Sequence, residues 1–340
     1  MKNVGPIVFR IGGGKQVGLG HLRRCLSLAE ALRRLATECL FLLDGDATCV
    51  DQTTAAGFEA IRIRPGEDLS QTLEQCRKRK ARAIVADSYA LDTAYLASLH
   101  EAKAVVAAVD DLADRELPVD LVINGSVNAN QLVYRAGKTT RFLLGTQYIL
   151  LRSEFAEEPK RTIAEQVRRV LVTVGGGDPQ QLTPKLVRWA AEALKDASVD
   201  VVIGPMFDDQ SSSELTPTAT AVHLNPRNIR NIMLDADLAL CGGGQTTYEL
   251  AATGTPAVAI RLADNQTQNL AGLNSAGALV WAGDVHDADL EVKTNRALAV
   301  LAGDPARRAA LSQRGRALVD GQGATRVARA ILELTTIEHS

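Results

Sequence analysis

Short apolar runs alternate with amphipathic stretches of helix length along the whole of this 340-residue chain. Such alternation is typical of parallel β-sheets whose connecting helices cover both faces of the sheet. The predicted strands are residues 7–11, 38–43, 60–63, 83–86, 104–109 and 121–123 in the first half, and residues 170–174, 199–203, 221–224, 238–240 and 257–260 in the second. The sequence therefore predicts an α/β protein.

A charged segment that contains a proline, residues 156–166, separates the two series of strands. A chain of this length exceeds one typical hydrophobic core and suits two domains. We therefore expect one Rossmann-like domain over residues 1–155 and a second over residues 156–340. Ligands of open parallel sheets bind beyond the carboxyl ends of the strands, so the expected site is a central cleft that those ends face.

Charge and cysteine content narrow the class of ligand. The formal net charge is -2 at pH 7, which argues against attraction to nucleic acid or to an anionic membrane and favours a small molecule. The five cysteines are scattered without a C-x-x-C spacing, so we expect neither disulfides nor zinc, but buried thiols of a reduced cytoplasm. The N-terminal residues fit neither a signal peptide nor a membrane span. We therefore expect a cytoplasmic protein without membrane insertion, whose oligomeric state is left open.

Three glycine-rich segments follow predicted strands, at residues 12–20, 174–179 and 241–244. None has the dinucleotide fingerprint G-x-G-x-x-G, because Arg23 or Thr247 stands where the last glycine is required. A Walker phosphate-binding loop is excluded as well, because Leu132 stands where the first glycine of that motif is required. No G-x-S-x-G serine-hydrolase motif is present. The sequence therefore predicts no nicotinamide or flavin cofactor and no serine nucleophile.

The first of these segments ends in His21, at the start of a helix with apolar periodicity. A helix N-terminus disfavours the protonated imidazole, so a neutral ring that accepts a proton near pH 7 is expected there. The alternative is that His21 caps the helix or packs beneath the loop.

The third segment leads into a helix whose first residues are Thr246 and Thr247, with Glu249 about one turn further on. Backbone amides and hydroxyl groups suit a diphosphate, and a carboxylate one turn deeper could bind the two hydroxyls of a ribose. The spacing therefore fits a nucleoside diphosphate. The alternative is that the glycines only turn the chain and Glu249 lies on a solvated helix face.

Several acidic and histidine residues have simpler explanations than metal binding. Residues 44–46 spell D-G-D, and Asp110 and Asp111 end another predicted strand, but turns and helix caps account for both pairs. The histidines outside the first loop lack the spacing of metal ligands. No metal site is predicted.

Six blocks in this order resemble a known family: GLGHLRRCLSLAEAL, VADSY, FLLGTQYILLRSEF, LVTVGGGDP, CGGGQTTYELAATGTPAVAI and LADNQTQN. They are similar to the UDP-2,4-diacetamido-2,4,6-trideoxy-β-L-altropyranose hydrolases of pseudaminic acid biosynthesis, themselves similar to the UDP-N-acetylglucosamine transferase of lipid II synthesis. The resemblance spans nearly the whole chain and implies the GT-B architecture. It also implies that the nucleotide is held by the C-terminal domain, and that the chain crosses between domains at residues 156–166 and 324–334.

The resemblance implies an inverting, metal-independent hydrolysis of a nucleotide sugar that releases UDP. The loop histidine of the family corresponds to His21, which would activate the attacking water. Tyr89 and Asn265 would contact the sugar or the water, and Glu249 would hold the ribose. The other residues expected to bind the substrate are Gly18, Gly20, Arg24, Asp87, Gly176, Gly243, Gly244, Gln245, Thr246, Thr247, Asp264 and Gln266.

Some positions depart from the family pattern. Gly12 stands where the family has an aspartate after the first strand, Gln245 replaces a serine, and Arg23 replaces a methionine. The identity of the sugar is therefore the least determined part of the resemblance. Two other functions stay open, a glycosyltransferase that deprotonates an acceptor hydroxyl and a non-catalytic nucleotide-sugar binding module. Two of the predicted site residues also have purely structural alternatives. Tyr89 could be an ordinary packing residue, and Asn265 could be the N-cap of a helix over residues 266–276.

Overall fold

The computed structural model describes residues 5–12, 19–64, 67–178, 180–207 and 218–337 of the chain. These residues form two compact units. The first unit extends to Ser153 and resumes at Gly321, and the second unit is Glu154–Asp320.

Within its described residues, the first unit has a seven-stranded sheet in the order β3-β2-β1-β4-β5-β7-β9, with every neighbouring pair parallel. Two short strands, β6 and β8, pair separately. The strands are β1 (Ile7–Ile11), β2 (Cys39–Leu43), β3 (Glu59–Arg62), β4 (Ala83–Asp87), β5 (Val105–Val109), β6 (Glu116–Leu117), β7 (Leu121–Asn124), β8 (Arg135–Ala136) and β9 (Arg141–Leu144). The helices are α1 (Gly20–Arg34), α2 (Ala47–Ala55), α3 (Asp68–Arg79) and α4 (Thr93–Ser98).

The described part of the second unit has a six-stranded parallel sheet in the order β12-β11-β10-β13-β14-β15. Its strands are β10 (Arg169–Thr173), β11 (Ser198–Ile203), β12 (Ala221–Leu224), β13 (Leu238–Gly242), β14 (Ala257–Arg261) and β15 (Val280–Asp284). Its helices are α5 (Thr183–Ala193), α6 (Ile229–Asp235), α7 (Thr246–Thr253), α8 (Thr267–Ser275), α9 (Leu290–Gly303) and α10 (Pro305–Leu318). Each unit is thus a parallel α/β layer structure of the Rossmann type.

The last helix, α11 (Gly323–Ile337), belongs to the first unit. It packs against α1, and its residues Val327, Ala328 and Ile331 have no solvent exposure. The predicted domain boundary at residue 156 places this C-terminal helix in the second domain, whereas the helix packs in the first unit. Sequence periodicity identifies the apolar face of such a helix, but not the sheet that the face covers.

The strand registers place Gly12, and the two glycine-rich segments of the second unit, at the carboxyl edges of their sheets. In the first unit, Ile11 pairs with Leu43 on one side and with Asp87 on the other. In the second unit, Thr173 pairs with Cys241. The described residues that directly follow these positions are therefore neighbours at the edge where ligands of parallel sheets bind.

None of the helices in the described ranges combines the length and the apolar character that crossing a membrane requires.

Candidate active site

His21 lies in the first turn of α1, and its Nδ1 atom is hydrogen-bonded to Oδ1 of Asp87 at the end of β4. Asp87 is fully buried. Arg24, one helical turn after His21, donates from Nε and Nη2 to the two oxygens of Asp87, both at 2.6 Å. The imidazole and the guanidinium thus share one buried carboxylate.

The charge on Asp87 determines which nitrogen of His21 carries the proton. Burial alone would raise the pKa of Asp87, but attraction to Arg24 and His21 outweighs burial and holds the pKa well below its usual range. An ionised carboxylate only accepts hydrogen bonds, so Nδ1 must donate to it. In the neutral ring Nε2 then carries a lone pair, and none of the described residues hydrogen-bonds to Nε2. This is the tautomer that a general base requires.

Tyr89 and Asp111 complete the group around His21. The Tyr89 ring meets the His21 ring edge to face, with ring centroids 4.6 Å apart. Its hydroxyl donates to Oδ1 of Asp111 at 3.0 Å, and Arg24 Nη1 donates to the other oxygen at 2.9 Å. The Tyr89 residue is 39% exposed, which does not fit ordinary core packing.

The environment of His21 combines features of both sequence interpretations. Only 6% of its side chain is exposed, as the packing alternative expects. The ring nevertheless contacts ionisable groups rather than an apolar core, and it does not cap the helix, whose N-cap is Leu19. The pKa of Arg24 is raised well above its usual value because Asp87 and Asp111 outweigh burial, so Arg24 stays charged beside Asp87.

Gly12 stands where the family of the sequence resemblance is expected to have an aspartate, and a side chain at this position would meet Ser88. A Cβ atom at Gly12 would lie 2.3 Å from Oγ of Ser88, which no side chain tolerates without movement. The Gly12 amide also donates to the carbonyl of Asp87 at 3.1 Å. The carboxylate that orients His21 therefore comes from the end of β4 and not from the segment after β1.

In the second unit, the third glycine-rich segment is held by its neighbours. Thr247 Oγ1 donates to the carbonyl of Gly244 at 2.8 Å, and Asn269 Nδ2 donates to the carbonyl of Gly243 at 2.8 Å. A Cβ atom at Gly243 would lie 2.6 Å from the side chain of Leu270. The Thr247 hydroxyl therefore stabilises the loop itself, and Thr246 begins α7 with Glu249 half-buried in the first turn.

The second glycine-rich segment lies beside the third. Gly175 has a left-handed backbone, with φ of 103°, and a Cβ atom there would be 3.8 Å from Oγ1 of Thr246. The carbonyl of Gly176 accepts a hydrogen bond from the amide of Met206 at 2.9 Å. A Cβ atom at Gly204 would lie 2.4 Å from the carbonyl oxygen of Gly175. Three loops of the second unit therefore approach one another at the carboxyl edge of its sheet.

The remaining predicted residues differ in solvent exposure and in hydrogen bonding. Gln266 Oε1 accepts a hydrogen bond from the amide of Leu262 at 2.8 Å, so this side chain stabilises the loop between β14 and α8. Asp264 is fully exposed and paired with Arg261 at 2.7 Å. Asn265 is exposed and is not a helix N-cap, because α8 begins at Thr267 after Gln266. Gln245 precedes α7, Gly20 begins α1, and Gly18 lies outside the described residues.

One member of each acidic pair forms the cap or turn that the sequence predicts. Asp46 caps α2, and Asp110 accepts hydrogen bonds from the amides of Leu112 and Ala113. The sequence predicts only a turn at Asp111, and does not predict its contacts with Arg24 and Tyr89. Its place directly after a buried strand was the available signal, because such positions lie at the ligand-binding edge of a sheet.

No family model matches the chain. It is 26% identical to the spore coat polysaccharide biosynthesis protein SpsG of Bacillus subtilis over 338 residues, which cover 95% of this chain and 96% of that protein. It is 25% identical to the uncharacterized protein MJ1062 of Methanocaldococcus jannaschii, over 73% of this chain and 54% of that protein. It is 23% identical to the pseudaminic acid cytidylyltransferase and UDP-2,4-diacetamido-2,4,6-trideoxy-beta-L-altropyranose hydrolase of Helicobacter pylori, over 73% of this chain and 43% of that protein. The chain thus spans about half the length of these last two relatives.

Solved structures resemble the chain over nearly its full length. Acinetobacter baumannii MurG has a TM-score of 0.63 at 14% identity, covering 96% of this chain and 99% of MurG. The spinosyn rhamnosyltransferase SpnG has a TM-score of 0.65 at 16% identity, covering 96% of this chain and 99% of SpnG. At these identities the likeness shows the fold. The chain therefore has the GT-B glycosyltransferase fold, and its sequence resembles the pseudaminic-pathway UDP-sugar hydrolases, as the six blocks predicted.

Proposed function

We propose that this protein is a nucleotide-sugar hydrolase that cleaves the anomeric C–O bond of a UDP-activated diacetamido-trideoxy sugar and releases UDP and the free sugar. The observation that carries the proposal is the His21–Asp87 hydrogen bond, which leaves Nε2 of His21 as the basic nitrogen. The named activity of the Helicobacter pylori relative supports the class of substrate.

In the proposed reaction, Nε2 of His21 takes a proton from water as the water oxygen attacks the anomeric carbon. The electron pair of the broken C–O bond leaves with UDP, and attack from the opposite face inverts the anomeric centre. Asp87 stabilises the imidazolium that forms, and Arg24 keeps Asp87 ionised. General-base catalysis of this kind contributes roughly 10²- to 10⁴-fold to the rate.

The second unit would bind the nucleotide in this proposal. Helix N-termini leave their first amide groups unpaired, and none of the described residues accepts a hydrogen bond from the amides of Gly244 or Thr246. These amides at the start of α7 would bind the diphosphate and neutralise the charge that develops as UDP leaves. Glu249, in the first turn of the same helix, would accept hydrogen bonds from the ribose hydroxyls.

Glycosyl transfer is the second candidate function, and the structural likeness to MurG and SpnG favours it. In that case His21 would deprotonate an acceptor hydroxyl in place of water. A binding module without catalysis is the third candidate, and it would not need the basic nitrogen of His21. These alternatives differ in whether UDP is released and whether an acceptor is required.

The test is UDP release from a panel of UDP-activated amino sugars, with no acceptor added. His21→Gln is expected to lower turnover at least about 100-fold, because the general base is lost, and to leave UDP affinity unchanged. His100→Gln is the matched control, since His100 is exposed and contacts only the carbonyl of Pro118 and Asp120 among described groups. Turnover that needs an added acceptor would support transfer, and binding without turnover would support the third function.

A further inference from the structure

Asp111 is a carboxylate that the proposed mechanism does not use. It follows β5, and its side chain is 29% exposed. Its Oδ2 accepts from Arg24 Nη1 at 2.9 Å, and its Oδ1 accepts from the Tyr89 hydroxyl at 3.0 Å. Asp111 is therefore bound at the same time to the cation that holds Asp87 and to the ring that touches His21.

The turn that carries Asp111 is itself well fixed. Oδ1 of Asp110 accepts from the amides of Leu112 at 3.2 Å and Ala113 at 2.7 Å. The carbonyl oxygen of Asp110 accepts from the hydroxyl of Tyr134 at 2.8 Å. The backbone on both sides of Asp111 is thus held by hydrogen bonds, so its carboxylate has a defined position.

Asp111 also sets the hydrogen-bonding role of Tyr89. A phenol has one proton, and Tyr89 donates that proton to Asp111. Any further hydrogen bond to the Tyr89 oxygen must then come from a donor, such as an N–H or O–H group. An acetamido substituent supplies such an N–H group.

We propose that Asp111 is a positioning residue, which holds the Tyr89 ring against His21 and commits the Tyr89 oxygen to accept a hydrogen bond from an N–H or O–H donor of the sugar. This inference rests on the proposed function. It assigns to the substrate a donor group close to the reacting carbon, and it makes Tyr89, rather than Arg24, the residue through which Asp111 acts on catalysis.

The kinetic test uses Asp111→Asn, whose amide group would donate to the Tyr89 oxygen and so reverse the role of the phenol. We expect kcat/KM to fall roughly 10- to 100-fold, the range of one hydrogen bond to a charged group. In a Tyr89→Phe background the same substitution should change kcat/KM no more than about threefold, since the hydroxyl is already absent. An equal loss in both backgrounds, or no loss in either, would overturn the proposal.

Asp114→Asn is the matched control on the same turn. Asp114 is 56% exposed and pairs with Arg115 at 3.1 Å, away from Tyr89 and Arg24. It is expected to keep wild-type kcat/KM. A loss in this control equal to that of Asp111→Asn would show that the turn as a whole, and not the Tyr89 contact, is responsible.

A second measurement needs no turnover and so separates this inference from the proposed function. The imidazole proton resonances of His21 report the nearby Tyr89 ring through its ring current. In ligand-free protein, Asp111→Ala, which removes the hydrogen bond to Tyr89 altogether, should move these resonances part of the way towards their positions in Tyr89→Leu, and Asp114→Ala should leave them in place. Unchanged His21 resonances in Asp111→Ala would overturn the positioning role, even if the enzyme hydrolyses UDP-sugars.

Discussion

At the scale of single residues, the candidate site depends on one buried carboxylate that His21 and Arg24 share. Asp87 has no solvent exposure, and it is bonded to His21 and doubly to Arg24. A buried carboxylate is costly unless it is paired, and Arg24 supplies the charge that keeps it ionised. The ionised state in turn fixes the His21 tautomer. In the proposed mechanism, Arg24 therefore contributes to catalysis through Asp87.

Asp87→Asn tests whether the tautomer of His21 depends on an ionised carboxylate at this position. The asparagine amide can no longer neutralise Arg24, and it offers His21 a donor as well as an acceptor, so the required tautomer loses its preference. We expect kcat to fall about 10²- to 10⁴-fold while UDP affinity is retained. Thermal unfolding of the same sample checks that the variant is folded. A folded variant with more than a tenth of wild-type kcat would contradict the role given to Asp87.

The ion pairs of a second buried arginine, Arg10, predict a pH dependence of stability. Arg10 is fully buried in β1, and it donates from Nε to Asp68 at 2.8 Å and from Nη2 to Asp44 at 2.8 Å. Burial would raise the pKa of Asp68, but hydrogen bonds from Arg10 and Tyr95 outweigh it and lower the pKa. Because the folded pKa lies below the unfolded value of about 4, Asp68 stabilises the fold above that pH and loses this contribution as pH falls through the folded pKa.

Asp68→Asn should therefore cost about 1 to 3 kcal/mol of unfolding free energy at pH 7, because Arg10 keeps a buried charge with one partner fewer. The difference from wild type should shrink as the pH falls below about 4, where the wild-type carboxylate also becomes protonated. Urea unfolding at a series of pH values measures both quantities. A difference that stays constant down to the lowest accessible pH would show that Asp68 acts through packing alone.

At the scale of elements, three loops at the carboxyl edge of the second sheet are packed too closely for a side chain. A Cβ atom at Gly204 would lie 2.4 Å from the carbonyl oxygen of Gly175 and 2.5 Å from that of Gly176. Backbone atoms cannot rotate away as a flexible side chain can. The position of the second glycine-rich loop therefore depends on a glycine in a different loop.

Gly204→Ala is expected to destabilise the second unit by about 1 to 3 kcal/mol and to weaken UDP binding, because the displaced loop lies beside the start of α7. Gly303→Ala is the control, since a Cβ atom at the end of α9 meets no atom within 4 Å. That change should be neutral or stabilise the helix by up to about 1 kcal/mol. Thermal unfolding and UDP titration measure the two effects. Equal behaviour of the two variants would contradict the close packing at Gly204.

Element positions were predictable wherever strands are buried on both faces. The eleven predicted strands are present with ends shifted by no more than two residues, and most of them are buried parallel strands, which read as continuous apolar runs. Strand β9 was missed at the sheet edge, where Arg141 and Phe142 are exposed. Strand β15 was missed because it is only partly buried and contains Gly283 with φ of 146°. Edge strands carry a weaker apolar signal, which was sufficient to predict β3 and β12 but not β9 and β15.

The contact between His21 and Asp87 was not predictable in the same way. The two residues are 66 positions apart, and they meet because β1 pairs with β4, which brings Ile11 beside Asp87. Apolar periodicity predicts strands but not their order in the sheet. The resemblance nevertheless selected His21, Asp87, Tyr89 and Arg24 individually, and the sheet order supplies their arrangement. Asp111 was weighed only as a turn residue, because its contacts also depend on the order of β4 and β5.

At the scale of the whole molecule, each unit has its own sheet and core, and the C-terminal helix completes the first. Ile331 is fully buried where α11 packs on the first unit. If the second unit carries the nucleotide-binding residues, damage to this helix should affect stability without affecting UDP binding. The proposed roles of the two units can thus be separated by mutation.

Ile331→Ala should lower the stability of the first unit by about 2 to 5 kcal/mol, the usual cost of removing a buried isoleucine side chain beyond Cβ. Arg329→Ala, on the exposed face of the same helix, should cost less than about 0.5 kcal/mol. Scanning calorimetry reports the unfolding of each unit, and UDP titration reports the second. A loss of UDP affinity in Ile331→Ala below its unfolding temperature would contradict the assignment of nucleotide binding to Glu154–Asp320.

The most direct measurement of the central claim, that His21 activates water for attack on the anomeric carbon, is hydrolysis of the UDP-sugar in ¹⁸O-labelled water without an acceptor. Cleavage of the C–O bond places the label on the anomeric hydroxyl of the released sugar and leaves UDP unlabelled, and the labelled sugar should no longer form in His21→Gln. The account predicts that result. Label found in the β-phosphate of UDP, or labelled sugar formed equally fast by His21→Gln, would contradict it.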